Sequence, residues 1–515
     1  MAELPDANTN PWYVLMTLYG ELEGKWGDDD LHAKNRAVWN AWSCQGLDDD
    51  AAAVVAKLAR VDVGETRGWA KIAVSVKRKH RAEMKKRNTD SDFTYPGFPD
   101  FEKFIGCSDI QFFNTVVLKN CIFTQAAYFI SATFTQYADF HSATFTRAAF
   151  FHSATFTQDA SFNNTTFTQA AYFNSATFTQ YAFFNSATFT RAASFNNTTF
   201  TQAASFNSAT FTQDAYFNGA TFTQAAFFSG ATFTQDASFY GATFTQAAYF
   251  DSATFTQDAY FSSATFTQAA YFDSANFDGP AKFVGAKFGL RAGGEACQAY
   301  FTEAAFAKVV SFREAEFVSH YPVLEGTQFR EGVVLSAKAA FWPVAGKGAT
   351  DLDESGTERA KESCAALRHA LGKQGMPEEE HFFFRREMRF AAQIGGVWQR
   401  LPYQVFGAVS DFGQSIWRPF IGLLALWAIG GLLYTVSYAW GAFDDGQQPR
   451  EILFGFGLSF ANIFKFLGLQ RSYFDVDFTQ SLNPWLQVMG GVQTVVGFLL
   501  LFFLGLGLRT RFRMR

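Results

Sequence analysis

Charge is scarce in this chain. Charged residues make up 17% of its 515 residues, and the formal net charge is −5. This balance gives no general attraction for polyanions, so no nucleic-acid partner is expected. The beginning of the chain also lacks a cationic stretch ahead of an apolar core, because the run Trp12 to Leu18 is too short. The sequence therefore predicts no secretory signal.

Cysteine is equally sparse, and no chemical motif surrounds it. The five cysteines show no C-x-x-C spacing, which argues against a zinc site and against a disulfide framework. The sequence also contains no phosphate-binding loop and no Ser-His-Asp or Cys-His grouping. We therefore expect a protein that is not an enzyme and that uses no metal or other cofactor.

Phenylalanine, in contrast, is abundant: 65 residues, against 18 tyrosines and 11 tryptophans. From Phe123 to Phe288 the phenylalanines alternate in steps of six and five, which makes a strict repeat of eleven residues. A representative unit is A-T-F-T-Q-Y-A-F-F-N-S, from Ala176 to Ser186. The same phase extends back through Leu118, Phe112 and Cys107 to Phe101. A fixed period of this kind is typical of solenoid proteins.

The pattern Ala-x-Phe places a small and a large apolar side chain on one face of an extended segment. One such face cannot bury itself, but a winding chain stacks identical faces about 4.8 Å apart into a continuous core. A helix is disfavoured because the repeat is rich in Thr, Ser and Asn. The sequence therefore predicts a mainly β fold, a β-solenoid.

The spacing resembles that of the pentapeptide repeat family, in which the central residue of each unit and the residue two before it point inward. Phe178 with Ala176, and Phe189 with Ala187, match this pattern. The resemblance implies a right-handed quadrilateral β-helix. Every second unit has a sixth residue, so we expect coils of about 22 residues rather than about 20. Cys107 and Cys121 fall on inward positions and are interpreted as core residues.

The phase breaks between Gly289 and Tyr300 and resumes at Phe301, so we expect a small insertion followed by one or two irregular coils that end near Phe341. Eight aspartates and four basic residues lie between Phe123 and Phe288. This is far too sparse to imitate DNA, which carries one charge per ~1.7 Å. The outward threonines resemble those of β-helical antifreeze proteins, but threonine is also a common strand residue. Packing of protomers or docking of a protein partner is the preferred interpretation of this surface.

Residues 1–100 lie outside the repeat and are predicted to form a small helical region. Asn10-Pro11-Trp12-Tyr13 and Leu31-His32-Ala33-Lys34-Asn35 resemble segments of bacterial pentapeptide repeat proteins. A basic cluster in this region could be a solvated helix face, a contact with anionic lipid or a nucleic-acid site. Its members are Lys77, Arg78, Lys79, Arg81, Lys85, Lys86 and Arg87.

Beyond the predicted β-helix of residues 101–345, residues 355–396 are predicted to form a cytosolic helical hairpin. Gly375-Met376-Pro377 breaks the helical pattern, and Glu378-Glu379-Glu380 opens the second helix with acidic residues, as the helix dipole favours. The hairpin resembles one that precedes channel-like membrane segments in pentapeptide repeat proteins.

Residues 418–515 are predicted to form a membrane module with two spans. Pro419 to Trp440 and Trp485 to Leu508 are uncharged and long enough to cross a bilayer. Arginines precede the first run and follow the second, so the positive-inside rule places both ends and the β-helix in the cytoplasm. These arginines are Arg385, Arg386, Arg389, Arg400, Arg418, Arg509, Arg511, Arg513 and Arg515.

Between the spans, Ile452 to Leu469 is apolar but short, which predicts a re-entrant or interfacial helix. Span, short helix, span is the arrangement of two-helix channel pores, although no T-V-G-Y-G-type filter follows the short helix. Asn462, Lys465 and Gln493 are the residues predicted to line such a pore. The sequence thus suggests a bacterial inner-membrane protein whose β-helix is coupled to a homo-oligomeric, channel-like pore. The alternative is a membrane-tethered scaffold for protein partners that conducts no ions.

Overall fold

A computed structural model describes the chain in seven stretches. These are residues 4–22, 28–88, 92–289, 298–343, 354–439, 453–474 and 482–513. The chain forms two compact units. The first, here the solenoid unit, comprises Met1–Asp351 and His369–Gln374, and the second, here the helical unit, comprises Leu352–Arg368 and Gly375–Arg515.

Four helices begin the solenoid unit. They are α1 (Pro11–Met16), α2 (Asp29–Ser43), α3 (Asp49–Leu58) and α4 (Trp69–Arg87), with 3₁₀ turns at Ala7–Thr9 and Val63–Thr66. Side chains of Asn10, Asp28 and Asp48 accept hydrogen bonds from the free backbone N–H groups at the starts of α1, α2 and α3. Short polar residues in the sequence thus fix where these helices begin.

The described part of the solenoid contains 40 short strands in four parallel sheets, one for each side of the coil. The sheets contain 11, 10, 9 and 10 strands. The first strand of each sheet is Ile105–Gly106, Gln111–Phe112, Val116–Val117 or Ile122–Phe123. The last strand is, in the same order, Val333–Leu335, Glu316–Phe317, Ala299–Tyr300 or Gln328–Phe329.

Between these ends the strands are short and follow one pairing rule. Thr177–Phe178 pairs in parallel with Thr199–Phe200, and Ala182–Phe183 pairs with Ala204–Ser205, so each strand contacts the one that lies two eleven-residue units further along. The predicted length of the coil is therefore confirmed. After the insertion the offset grows, since Lys287–Phe288 pairs with Glu316–Phe317.

Phenylalanine fills the interior in four columns. Phe211 is fully buried and stacks on Phe189 and Phe233, with ring centroids 4.8 and 4.9 Å apart and planes 1° apart. Across the coil the rings meet edge to face, as Phe206 and Phe217 do at 5.3 Å and 88°. Alanines lie beside the rings with no exposed surface. The earlier inward positions of the ladder are buried in the same core: Cys107, Phe112, Leu118 and Cys121.

The coil turns after every phenylalanine, and bends such as Thr179-Gln180 alternate with turns such as Asn185-Ser186. The turns of the second kind have a special backbone conformation. The residue before the next alanine has a left-handed backbone, for example φ = 54° at Ser186 and 64° at Gly219. Serine and asparagine meet a steric penalty in this region that glycine avoids. At Gly219 a Cβ would also come within 2.5 Å of the Asn197 Oδ1 atom, so glycine relieves both the backbone strain and this contact.

The helices α1 and α2 close the first coil. The Trp39 indole packs 5.2 Å from the Phe123 ring and donates a hydrogen bond of 2.9 Å to the Ile122 carbonyl. Asn40 accepts a hydrogen bond of 2.8 Å from the Ile122 N–H. Phe101, the first predicted member of the ladder, is instead in a turn before the first strand and packs on Trp42 at 6.1 Å. The sheet edge is thus covered and cannot pair with another chain.

Trp342 packs over the last coils, with its ring 4.9 Å from that of Phe317. It follows the 3₁₀ turn Ala339–Phe341, at the position where the sequence predicted the solenoid to end. The indole N–H donates to the Ser336 carbonyl at 2.8 Å. Residues 290–297, which contain most of the predicted insertion, lie outside the described residues.

The helical unit begins with the predicted hairpin. Its helices are α5 (Glu354–Lys373), α6 (Pro377–Ala391), α7 (Val397–Ser410), α8 (Trp417–Ala439), α9 (Leu453–Ile463), α10 (Leu469–Tyr473) and α11 (Pro484–Arg513), with a 3₁₀ turn at Lys465–Leu467. Pro377 is the first residue of α6, and the three glutamates lie in its first turn, as predicted. No element was predicted where α7 lies.

Candidate functional site

Among the described residues, two helices of the helical unit are long and apolar enough to cross a membrane. They are Trp417–Ser437 within α8 and Pro484–Phe512 within α11. Many of their apolar side chains are exposed; Phe498, for example, is 60% exposed. A core helix of a soluble protein would bury such residues. We therefore treat α8 and α11 as candidate membrane-spanning helices.

The two candidate spans pack antiparallel, and glycines set how closely they approach. A Cβ on Gly422 would lie 3.1 Å from the Leu500 side chain, and one on Gly430 would lie 2.2 Å from the Gln493 amide nitrogen. From Gly422 to Gly430 along α8, the contacted residue on α11 changes from Leu500 to Gln493, so the two helices run in opposite directions. Small residues at such contacts are typical of helix packing in membranes.

The short helix α9 lies between the two spans. Near its start, a Cβ on Gly455 would lie 2.3 Å from the Thr435 hydroxyl of α8. One turn further on, the Ser459 hydroxyl donates a hydrogen bond of 2.9 Å to the Trp427 carbonyl. At its end, α9 packs against Gly497 of α11, where a Cβ would come within 3.3 Å of the Ile463 Cα. Gly497 is at the centre of the second uncharged run, so α9 reaches the middle of the module.

The chain then turns back. After the 3₁₀ turn Lys465–Leu467, α10 leads to Phe474, whose ring lies 5.5 Å from that of Phe454 at the start of α9. Gly457 of α9 faces the same Phe474 ring. We call Leu453–Phe474 the re-entrant hairpin and residues 464–468 its tip. The segment therefore folds back on itself, and whether it is re-entrant or interfacial in a membrane stays a prediction.

Two of the three predicted pore residues point into the helix packing. Asn462 is 4% exposed and donates a hydrogen bond of 2.9 Å to the Tyr434 hydroxyl. Gln493 is 3% exposed, and its amide donates to the Leu426 carbonyl at 3.2 Å and to the Ser459 hydroxyl. Side chains buried within one chain cannot line a pore between copies, so this burial argues against the prediction for both. The pattern of a short apolar helix could not distinguish its inner from its outer face.

The third predicted pore residue, Lys465, is in a different environment from Asn462 and Gln493. It lies in the tip of the re-entrant hairpin and is exposed, as are Phe466 and Leu467. Phe466 and Ile463 line an apolar groove of about 270 Å³ together with Thr494, Val495, Phe498 and Leu499 of α11. Those residues flank Gly497, so the tip is at the mid-depth of the candidate span. The exposed Lys465 therefore lies in a tip that is surrounded by apolar helix surfaces.

The basic cluster of the first unit lies on α4, and part of it is occupied by intramolecular contacts. Arg87 donates to the Thr17 hydroxyl at 2.8 Å and pairs with Glu21 at 3.1 Å. Lys79 lies 4.1 Å from the centre of the Tyr19 ring. Lys77 and Arg81 lie 5.7 and 5.5 Å from the centres of aromatic rings but are exposed, as are Arg78, Lys85 and Lys86. Intramolecular contacts therefore involve part of this cluster, while five of its seven side chains are exposed, and its role in binding stays a prediction.

Some of the arginines ahead of the first span are also paired. Arg385 and Arg389 both form ion pairs with Asp411, the second at 3.3 Å. Asp411 follows α7 and has a left-handed backbone with φ = 48°. Arg418 donates to the Gly407 carbonyl at 2.9 Å. The cationic end of the module is therefore held by specific contacts, and Asp411 offsets part of its charge.

The outer surface of the solenoid carries a column of aromatic rings that the sequence had not led us to expect. On one sheet the outward rings of Phe227, Tyr249, Tyr271 and Tyr300 stack at 5.0, 4.9 and 4.8 Å. The sequence does contain this column, because its residues occupy the middle position of Ala-x-Phe. The column becomes visible when that position is compared in every second eleven-residue unit instead of in every unit. We call these four residues the aromatic ladder. Among the described residues, no three His, Cys, Asp or Glu side chains group as metal ligands would.

Comparison with known proteins supports the solenoid but does not extend to the membrane module. A family model described as pentapeptide repeats (9 copies) matches residues 140–188, 151–199, 184–232 and 228–275. No curated protein and no solved structure matches the chain. The matched stretches lie wholly within the four-sided parallel solenoid, with alanine and phenylalanine at the inward positions. The repeats at residues 140–275 therefore match the pentapeptide repeat family.

Proposed function

We propose that this protein is a membrane channel in which several copies surround a pore lined by the tips of their re-entrant hairpins. The observation that supports the proposal is the exposed Lys465 side chain in a tip whose neighbouring residues, Ile463 and Phe466, pack beside the middle of α11. The pentapeptide-repeat solenoid is the soluble part of the same chain, available to bind a partner or to gate the pore.

A charge is costly in lipid. A lysine at the centre of a single spanning helix costs about 2.5–3.5 kcal/mol or more, so such residues normally face water or protein. The Lys465 ammonium group at the tip of the hairpin is therefore expected to face water. Two spans and one hairpin cannot enclose a pore alone, which implies that several copies associate, as in other two-span channels.

The orientation follows from charge. Arg418 precedes the apolar part of α8, and Arg509, Arg511 and Arg513 end α11, so both ends of the module belong on the cytoplasmic side of a bacterial inner membrane. Asp411 does not reverse this assignment, because acidic residues contribute little to the positive-inside rule. The solenoid then lies in the cytoplasm, and α9 enters the membrane from the outer side.

The test is electrical. The full chain would be purified, its oligomeric state measured in detergent by native mass spectrometry, and the oligomer inserted into planar lipid bilayers. We expect discrete conductance steps. A matched variant is Lys465→Glu, which keeps an exposed charged side chain but reverses its sign, and which should alter the current. An assembled oligomer that conducts nothing would refute the channel.

The second candidate function is a membrane-tethered scaffold, and the aromatic ladder favours it. Its rings lie on a flat sheet near Asp251 and Asp273, a surface suited to a partner with apolar and cationic side chains. The same sheet has a serine at the equivalent position 205, so Tyr249→Ser and Tyr271→Ser should leave the coil intact.

Crosslinking in cells would separate the two functions. A partner captured by the full chain should be lost in the double variant Tyr249→Ser, Tyr271→Ser. It should be retained in the control Tyr181→Ser, which removes an exposed tyrosine from outside the ladder. Retention in both variants would exclude the ladder as the docking surface.

A further inference from the structure

We propose that the pore is selective for anions and that Lys465 determines this selectivity. The proposal rests on the proposed channel and specifies the class of ion that it conducts. No aspartate or glutamate occurs in residues 417–439, 453–474 or 482–513, the described parts of the membrane module. The same stretches contain one lysine and five arginines.

The positions of these cations matter more than their number. Arg418 is at the start of α8, and Arg509, Arg511 and Arg513 are in the last turns of α11, so these four lie at one end of the module. Arg471 belongs to α10, on the arm of the re-entrant hairpin that returns toward the start of α9. Lys465 alone of the six is in the tip, next to Phe466, which lines the groove beside the middle of the second span.

The described surroundings of the tip leave the Lys465 charge uncompensated. Its neighbours in the tip are Phe466 and Leu467, and the adjoining groove is lined by Val495, Phe498 and Leu499. None of these groups can neutralise an ammonium ion. The carboxylates that follow the hairpin in the sequence, Asp475 and Asp477, lie outside the described residues.

Assembly of several copies would bring several tips together around one axis. A ring of ammonium groups between apolar walls repels cations and concentrates anions, because the low dielectric of the walls focuses the field along the pore. Rings of lysine or arginine are the arrangement that anion pores use, and rings of aspartate or glutamate serve cations. The buried Asn462 and Gln493 add no charge and face away from this path.

The experiment is a reversal-potential measurement on the full chain in planar bilayers, with a tenfold gradient of potassium chloride. We expect the reversal potential to lie toward the equilibrium potential of chloride, here called the chloride side, with chloride preferred by about tenfold or more. Lys465→Gln should bring the reversal potential toward zero, and Lys465→Glu should move it to the potassium side. Arg471→Gln, the matched control in the same hairpin, should keep the reversal on the chloride side.

The outcomes separate the two proposals. Current that reverses on the potassium side in the unaltered chain, or a reversal potential unchanged by Lys465→Glu, overturns the selectivity and leaves the channel standing. An assembled oligomer without current overturns both. Because Lys465 is exposed, its variants should assemble normally, which size-exclusion chromatography and circular dichroism of each variant would confirm.

Discussion

Replacement of a single phenylalanine in the middle of a column should open the solenoid locally. Phe211 is fully buried and has a ring on either side along the axis, at 4.8 and 4.9 Å. Removal of a buried phenylalanine side chain costs about 3–5 kcal/mol, through the lost transfer free energy and the cavity that remains. We expect Phe211→Ala to lie at the upper end of this range, because the neighbouring rings are fixed by their own stacks and cannot collapse into the space.

The effect should be measured by hydrogen exchange on the full chain, since a solenoid is stabilised by nearest-neighbour contacts and can open without unfolding completely. The Thr212 and Thr234 amides donate to carbonyls of adjacent coils at 2.8 and 2.9 Å and are the reporters. A loss of about 3–5 kcal/mol should speed their exchange by a factor of roughly 10² to 10⁴.

Two controls define the result. Gln213→Ala removes an exposed side chain two residues away and should change the opening free energy by no more than about 0.5 kcal/mol. Phe329→Ala, at the end of the same column, removes a half-buried ring with a stacking partner in Phe306, at 5.6 Å, and should cost clearly less than Phe211→Ala. Equal exchange in Phe211→Ala and Gln213→Ala would refute the stacked-column explanation of stability.

Two further predictions concern the caps and the membrane module. His32 donates from Nε2 to the Lys119 carbonyl at 2.9 Å, and burial lowers its pKa to about 4. The neutral ring therefore contributes its full stabilisation above the ordinary pKa of 6.5. From there toward pH 4, the free energy of unfolding falls by about 1.4 kcal/mol per pH unit. Hydrogen exchange at the first coils should show this loss, His32→Asn should reduce it, and an equal pH dependence in the variant would contradict the assignment. Asn462→Val leaves the buried Tyr434 hydroxyl without its donor and should cost about 0.6–1.7 kcal/mol in detergent denaturation. The same variant should leave the reversal potential unchanged, and a shift would return Asn462 to the pore.

The solenoid could be predicted from sequence because one short rule is applied at every coil. A phenylalanine in every unit fixes the register, since a slip of one residue would turn the ladder outward. The pairing of Thr177 with Thr199, and the buried positions of Cys107 and Cys121, follow from that rule. The rule fails where the repeat meets other structure: Phe101 has the right spacing but packs on Trp42 outside the coil.

The caps and the candidate site could be predicted only in part, because they depend on contacts between segments that share no period. Trp39 lies in the region predicted to be helical, and nothing in the sequence connects it to Ile122, more than eighty positions away. The hairpin between the spans could be expected from length and composition. Which of its polar side chains face inward was decided by packing against α8 and α11, which buries Asn462 and leaves Lys465 exposed.

The most direct test of the channel is whether position 465 is in contact with water that carries current. In a background of Cys297→Ser, Lys465→Cys would supply a thiol at the tip, while the cysteines at 44, 107, 121 and 364 are buried. Bilayer currents would be recorded before and after a membrane-impermeant, positively charged thiol reagent. If the tips line the pore, the reagent should change the conductance and restore the chloride-side reversal potential. Currents that are the same before and after the reagent would contradict the proposed pore.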